Sequence, residues 1–213
     1  MDWQGRNSMI KLFYIMGKSA SGKDTMLKVL LDKLYAIDIK PYVPYTTRPI
    51  RKDETPAVDY HFVSEEAMMK FKEDGKVIEM RSYDTDMGVW IYATINDHQF
   101  DDNDYIITVG TLESYTKMIE YFSEDKVVPI YITAKDKDRL LRSIDRESKN
   151  IYPNYAEVCR RYLEDEKDFS KENLAALGIG ENNTFDNYDK ILCSYDITEY
   201  IINIVRENYN NEN

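Results

Sequence analysis

Residues 11–31 read KLFYIM, GKSASGKDT and MLKVLL in succession. The first six residues form an apolar run typical of a strand, and the last six place apolar side chains at helical spacing. The short segment between them has a glycine at each end, Gly17 and Gly22, and Lys23 comes next. Backbone amides can curl around a polyphosphate only where no Cβ obstructs them. The pattern therefore predicts a strand, a phosphate-binding loop and a helix; an ordinary glycine-rich turn is the alternative.

The residues of this loop also suggest how phosphate and metal are held. Lys23 is expected to reach the outer phosphates as a mobile point charge, and the helix N-terminus adds its positive end. A Ser or Thr that holds magnesium usually follows the lysine, whereas this chain has Asp24 and then Thr25. We expect Mg²⁺ either to be held through water with the help of Asp24 or to be used more weakly than in a standard site.

Composition narrows the class of protein. The 213 residues are 43% hydrophobic and 31% charged, which is typical of a soluble globular protein. No apolar run approaches the roughly 20 residues of a membrane span, and residues 1–4 do not begin a signal peptide, so we expect a cytoplasmic protein without a membrane partner. The net charge of −11 argues against nucleic acid as the main partner. The two cysteines and two histidines lack metal-ligand spacing, which indicates reduced thiols and no zinc site.

The predicted elements alternate along the chain. Strands are predicted at 11–16, 105–109, 127–133 and 190–194, and helices at 24–35, 111–122, 135–148, 155–169 and 197–208. This alternation predicts an α/β fold with a mainly parallel central sheet flanked by helices.

Two stretches depart from the alternation. Residues 44–94 hold short strands at 60–63 and 77–80 around a helix that Ser64 would cap and Gly75 would end, which predicts a small inserted lobe. Residues 165–187 are polar and contain Gly178 and Gly180. They are predicted to form a loop or a loose helical connection.

Motifs within the lobe carry a family resemblance. Residues 46–51 read TTRPIR, residues 58–64 read VDYHFVS, and Glu79 follows a short strand, all downstream of the phosphate-binding loop. In this order and spacing the chain resembles the guanylate kinase family over about residues 9–207. The resemblance implies one guanylate kinase-like domain over 1–213. Its core would be about 9–43, 96–136 and 170–208, its monophosphate-binding lobe about 44–95, and its helical lid about 137–169.

The resemblance assigns roles to the matching residues. The donor, ATP, would be cradled by the loop residues Gly17, Lys18, Ser19, Ala20, Ser21, Gly22, Lys23, Asp24 and Thr25. The acceptor would be held by Arg48, Arg51, Tyr60, Glu79, Tyr92 and Thr94. The arginines and Tyr60 suit a phosphate, because they donate hydrogen bonds, and two of them do so from planar guanidinium groups. Glu79 suits guanine, whose N1 and N2 form a donor pair that adenine lacks.

Arginines on two later helical stretches resemble the lid of the family. Arg139, Arg142 and Arg146 fall on one helix face, and Arg160 and Arg161 lie on the next stretch. The family has arginines where Arg142, Arg146 and Arg161 stand, and these three, with Lys23 and Arg48, are the expected catalytic residues. Cations around the moving phosphoryl group and a closing segment that excludes water serve this chemistry. The alternative is a salt-bridged face, since Asp138, Asp145 and Glu147 are interleaved.

The implied activity is transfer of the γ-phosphate of ATP to GMP with Mg²⁺, by a monomer or homodimer whose partners are small molecules. Two alternatives stay open: a kinase for another nucleotide or a phosphorylated sugar, and a non-catalytic module that binds a phosphorylated protein segment. The chain departs from the family pattern at three places. Thr108 and Gly110 stand where two carboxylates are usual, Pro44 and Tyr45 where a small polar residue is expected, and Cys193-Ser194 where we place an Asn-Asp pair.

Overall fold

The computed structural model describes residues 11–51, 54–85, 88–101 and 105–210. Its strands are β1 Lys11–Met16, β2 Lys40–Pro41, β3 Tyr45–Thr46, β4 His61–Phe62, β5 Val77–Thr85, β6 Gly88–Ile95, β7 Tyr105–Val109, β8 Val127–Thr133 and β9 Thr184–Asp186. Its α-helices are α1 Lys23–Lys33, α2 Glu65–Glu73, α3 His98–Asp101, α4 Leu112–Phe122, α5 Asp136–Glu147, α6 Tyr155–Asp168, α7 Lys171–Ala176 and α8 Lys190–Asn210.

The central sheet has the order β2-β7-β1-β8-β9, and every neighbouring pair in it is parallel. Successive side chains of β1 point to opposite faces. Phe13 and Ile15 join a buried cluster with α1 and α8, whereas Leu12, Tyr14 and Met16 join a second cluster with α4. The sheet is therefore covered by helices on both faces, which confirms the predicted fold class.

A second sheet, of order β4-β3-β6-β5, is built from residues 45–95. Its long antiparallel hairpin, β5–β6, extends the predicted strand at 77–80 as far as Thr85. The predicted ends of α2 are confirmed. The Ser64 hydroxyl accepts a hydrogen bond from the Ala67 N–H at 3.2 Å, and Gly75 takes a φ of +68° just after the helix.

The predicted strand at 190–194 is wrong, because these residues form the first turn of α8. The Asp189 carboxylate accepts hydrogen bonds from the N–H groups of Ile191 and Leu192, which starts a helix there. Cys193, Ile197 and Ile201 then bury one helical face. A short apolar run does not distinguish a buried helix from a strand by periodicity.

The prediction of a loop or a loose helical connection at 165–187 holds for the helical parts of the segment and is wrong at β9. This segment contains the end of α6, the short helix α7, and the last strand of the central sheet, β9. The Ser170 hydroxyl caps α7 by accepting from the Asn173 N–H. Strand β9 is only three residues long, and it joins the sheet by pairing with β8. Because this pairing is long-range, the local sequence pattern does not predict the strand.

In the described ranges, no helix is long and apolar enough to cross a membrane. Cys159 is an exposed free thiol and Cys193 a buried one.

Candidate active site

The loop between β1 and α1 needs both of its glycines. A Cβ on Gly17 would lie 2.4 Å from the carbonyl oxygen of Ile132 on β8. Gly22 has a φ of +99°, and a Cβ there would lie 2.4 Å from Asn187 Nδ2. The loop is thus packed so closely against the neighbouring strand ends that any larger residue must displace backbone or side chain.

The helix after the loop presents an uncapped N-terminus. Helix α1 begins at Lys23, and its N-cap, Gly22, supplies no side-chain acceptor for the first N–H groups. Within the described chain, Lys23 forms no ion pair. Unsatisfied amides and an unpaired ammonium at one point make an anion-binding site, as the motif predicts.

A cavity of about 650 Å³ opens at this loop. The predicted lid arginines Arg142, Arg146 and Arg161 line it opposite the loop. Arg142 Nη1 also donates to the carbonyl oxygen of Ala20 at 3.3 Å. The fold therefore brings the three lid arginines to the predicted donor site, although they are far from it in sequence.

A neighbouring cavity of about 990 Å³ contains most of the predicted acceptor residues. Its lining includes Arg51, Tyr60, Glu79, Tyr92 and Thr94. Lys23, Asp24 and Arg161 line both cavities. The Tyr60 hydroxyl is protonated at neutral pH and can donate, and burial raises its pKa still further from that range. The two cavities thus meet at the loop lysine, as transfer between two bound phosphates requires.

Arg48 does not line either cavity. Its side chain is 2% exposed, and its Nη1 and Nη2 donate to both carboxylate oxygens of Glu54, at 3.0 and 2.6 Å. Its Nε donates to Tyr92 Oη at 3.1 Å. The hydrogen bonds from Arg48 lower the pKa of the Glu54 carboxyl. Glu54 was missed by sequence reasoning, although its place three residues after Arg51 is a signal.

The structure brings together the two residues that are expected to read the base. Glu79 on β5 faces Thr94 on β6, and Thr94 Oγ1 donates to Glu79 Oε1 at 3.2 Å. A third residue that the sequence reasoning missed, Arg81, donates to the same carboxylate from its Nε at 3.1 Å. Arg81 and Thr94 thus hydrogen-bond to different oxygens of the Glu79 carboxylate.

The salt-bridge alternative applies to only some of the lid arginines. Arg139 is buried and pairs with Asp136 and Glu166, and Arg160 pairs with Glu157 and Glu164. Arg161 is tethered by its Nε to Glu157 at 2.7 Å. The hydrogen bonds from Arg160 and Arg161, with their charges, lower the pKa of Glu157 to about 2. Among the described residues, Arg142 and Arg146 form no ion pair, so their charge is available to a ligand.

Helix α6, in the predicted lid, is also fastened to the loop, by contacts that the sequence did not predict. Asp165 Oδ2 accepts from the Ser19 N–H at 2.7 Å, and Lys18 Nζ pairs with Glu166 at 2.6 Å. Arg139 Nη2 donates to Glu166 as well, at 2.7 Å. We call Lys18, Ser19, Arg139, Asp165 and Glu166 the lid clamp.

Two of the sequence departures now have a structural meaning. Because β9 is the last strand, placing the Asn-Asp position at Cys193-Ser194 is wrong; the residue that follows β9 is Asn187. Its side chain is buried and its Nδ2 donates to the carbonyl oxygen of Ser21 at 2.8 Å.

The second departure is Gly110, where the family pattern has a carboxylate. A Cβ on Gly110 would lie 1.8 Å from Tyr14 Oη, so Tyr14 occupies the space that a carboxylate there would need.

The expected magnesium residues, Asp24 and Thr25, are both exposed. Asp24 lines both cavities, whereas Thr25 lines only the cavity of about 650 Å³ at the loop, which we call the donor cavity. The described chain contains no group of three or more His, Cys, Asp or Glu residues suited to a metal. A single carboxylate beside a phosphate site fits Mg²⁺, which keeps several waters and takes its other ligands from substrate phosphates.

Comparison with known proteins agrees with this geometry. A sequence model of the family described as guanylate kinase matches residues 9–192. The guanylate kinase of Campylobacter jejuni (strain RM1221) is 31% identical over 139 residues, which cover 64% of this chain and 66% of that protein, just under two thirds of its length. The guanylate kinase of Thermotoga maritima is 27% identical over 206 residues, which cover 92% of this chain and 86% of that protein.

A solved structure shares the fold. The crystal structure of guanylate kinase from Anaplasma phagocytophilum superposes with a TM-score of 0.58 at 23% sequence identity, covering 93% of this chain and 86% of that chain.

Proposed function

This chain belongs to the guanylate kinase family, a family of phosphotransferases, and we propose that it transfers the γ-phosphate of ATP to GMP, giving ADP and GDP. The observation that carries the proposal is the junction of the two cavities at Lys23. The loop glycines and the uncapped end of α1 lie on one side, and the acceptor residues Tyr60, Glu79 and Tyr92 lie on the other.

In the proposed reaction an oxygen of the GMP phosphate attacks the γ-phosphorus of ATP, and the bond to the β,γ-bridging oxygen breaks. No general base is needed, since the attacking oxygen is already anionic at neutral pH. Positioning and electrostatics therefore carry the rate. Lys23 and Arg161, which line both cavities, neutralise charge on the transferring group, and Arg142 and Arg146 add charge from the donor side.

The two ends of the acceptor are bound by different residues. Its phosphate is bound by Arg51, Tyr60 and Tyr92. Arg48 positions Tyr92 by a hydrogen bond and is itself paired with Glu54. Glu79 and Thr94 read the guanine edge. Magnesium would neutralise charge on the donor phosphates, and Asp24 would hold its water shell.

A second candidate keeps the donor site and changes the acceptor to another monophosphate or a phosphorylated sugar. The specific observation in its favour is at Gly110, where the family pattern has a carboxylate and where a Cβ would lie 1.8 Å from Tyr14 Oη. A non-catalytic module is disfavoured, because both loop glycines, the uncapped α1 terminus and the unpaired Lys23 are retained.

The test is ADP formation from ATP and magnesium with GMP, dGMP, AMP, CMP and UMP, for the wild type and for Lys23→Ala, Glu79→Gln and Lys28→Ala. Lys28 lies on α1, is exposed and lines neither cavity, so it is the matched control. We expect GMP-dependent turnover that Lys23→Ala lowers by roughly 10²–10³-fold. Glu79→Gln should raise KM for GMP, and Lys28→Ala should behave as wild type.

Turnover with another monophosphate but not GMP would favour the second candidate. ATP binding without turnover on any of the five nucleotides would contradict the GMP kinase proposal and would make phosphorylated sugars the next acceptors to assay.

A further inference from the structure

Arg81 stands two residues after Glu79 on β5, so both side chains lie on the same face of the strand. The Arg81 Nε donates to Glu79 Oε2 at 3.1 Å and its Nη2 contacts Oε1 at 3.4 Å. The two side chains are 18% and 5% exposed. A buried carboxylate is costly without a paired cation, and Arg81 supplies that cation within the cavity.

The other end of the guanidinium is anchored at the N-terminus of α4. Arg81 Nη1 donates to Thr111 Oγ1 at 2.9 Å, and that hydroxyl also accepts from the Ser114 N–H at 3.2 Å as the N-cap of α4. Each nitrogen of Arg81 is thus committed to a partner. Arg81 joins the strand that carries Glu79 to the first turn of α4.

The hydrogen bonds leave Glu79 with room for a base. An ionised carboxylate has about four acceptor positions. Thr94 and Arg81 take three of these, and the 3.4 Å contact from Nη2 is the weakest of them. A ligand with two adjacent donors can use the free position and displace this long contact, while the Nε bond still holds the other oxygen.

We propose that Arg81 is a positioning residue for acceptor recognition: it fixes the plane of the Glu79 carboxylate so that both oxygens face the paired donors of a 2-amino-6-oxopurine. This inference rests on the proposed function. In this role Arg81 does not itself need to touch the base. A fixed acceptor loses less side-chain freedom on binding, which strengthens affinity.

The experiment is calorimetric measurement of the Kd for GMP, which does not depend on turnover, for wild type, Arg81→Ala, Arg81→Lys, Glu79→Gln and the double variant Glu79→Gln/Arg81→Ala. We expect Arg81→Ala to weaken GMP binding about tenfold. The Kd of Arg81→Lys should lie between those of wild type and Arg81→Ala, because a lysine keeps the charge but not the planar guanidinium. The Kd for ADP is the internal control, and Arg206→Ala on the exposed side of α8 is the matched control variant.

The double variant separates positioning from a general structural role. If Arg81 acts through Glu79, its removal in the Glu79→Gln background changes the Kd by less than about twofold. An Arg81→Ala protein that binds GMP as well as or better than wild type overturns the inference, as does an equal loss in both backgrounds. Wild-type GMP binding without GDP formation would instead contradict the proposed function while these Kd comparisons still test Arg81.

Discussion

Gly22 is subject to two independent constraints at the residue scale. Its φ of +99° lies in the left-handed region, which side chains other than glycine adopt at a cost of about 1–3 kcal/mol. A Cβ would also meet Asn187 Nδ2, which holds the carbonyl oxygen of Ser21. Asn187 therefore couples the end of β9 to the shape of the phosphate-binding loop.

We expect Gly22→Ala to lower the melting temperature by roughly 4–8 °C, for a loss of about 2 kcal/mol, and to abolish ATP binding because the loop must open. Calorimetric melting and ATP titration measure the two effects. Gly180→Ala is the matched control, since Gly180 has a negative φ and no neighbour within 4 Å of a built Cβ. Equal behaviour of the two variants would contradict the packing argument.

At the scale of elements, the lid clamp joins α5 and α6 to the loop. Arg139 is 1% exposed and lies over the Tyr162 ring at 5.0 Å, so its partners are held in one arrangement. Arg142 and Arg146, on the same helix, stay available to the donor cavity. One helix therefore supplies both a buried anchor and two arginines without an ion pair among the described residues.

Arg139→Met should lower the free energy of unfolding by about 2 kcal/mol, because the largely buried Asp165 loses its cation, whereas the more exposed Glu166 keeps its pair with Lys18. Denaturant melts give this value. Lys117→Met, which removes only the exposed pair with Glu120, should cost less than about 1 kcal/mol. A loss for Arg139→Met no larger than that of the control would mean that the clamp does not hold the lid.

At the scale of the whole molecule, α8 is the longest described helix and closes one face of the central sheet. Cys193 is 2% exposed in that interface, and burial raises the pKa of its thiol from 9.0 to about 12. The other cysteine, Cys159, is exposed on α6. The two thiols therefore report on different parts of the fold.

A thiol reagent at pH 8 should label Cys159 at once and Cys193 only when α8 leaves the sheet, because the thiolate is the reactive form. Single-cysteine variants, Cys159→Ser and Cys193→Ser, assign the rates. The unfolded thiol ionises near pH 9.0 and the folded one near 12, so rising pH across this range favours unfolding. Fast native labelling of Cys193 would show that α8 detaches without global unfolding.

Short-range pattern in the sequence was enough to determine the phosphate-binding loop and most strands of the parallel sheet, because strand and helix periods and glycine geometry are local properties. The acceptor residues were predicted from the family resemblance. Only the tertiary structure decided which side chains meet. Lys18 and Glu166 are 148 positions apart, and Ser21 and Asn187 are 166 apart. It also separated buried Arg139 and Arg48 from the arginines that line the cavities, and replaced the expected strand at 190–194 with β9. Partners and burial depend on how distant segments pack, and the local periodicity of a segment carries no record of that packing.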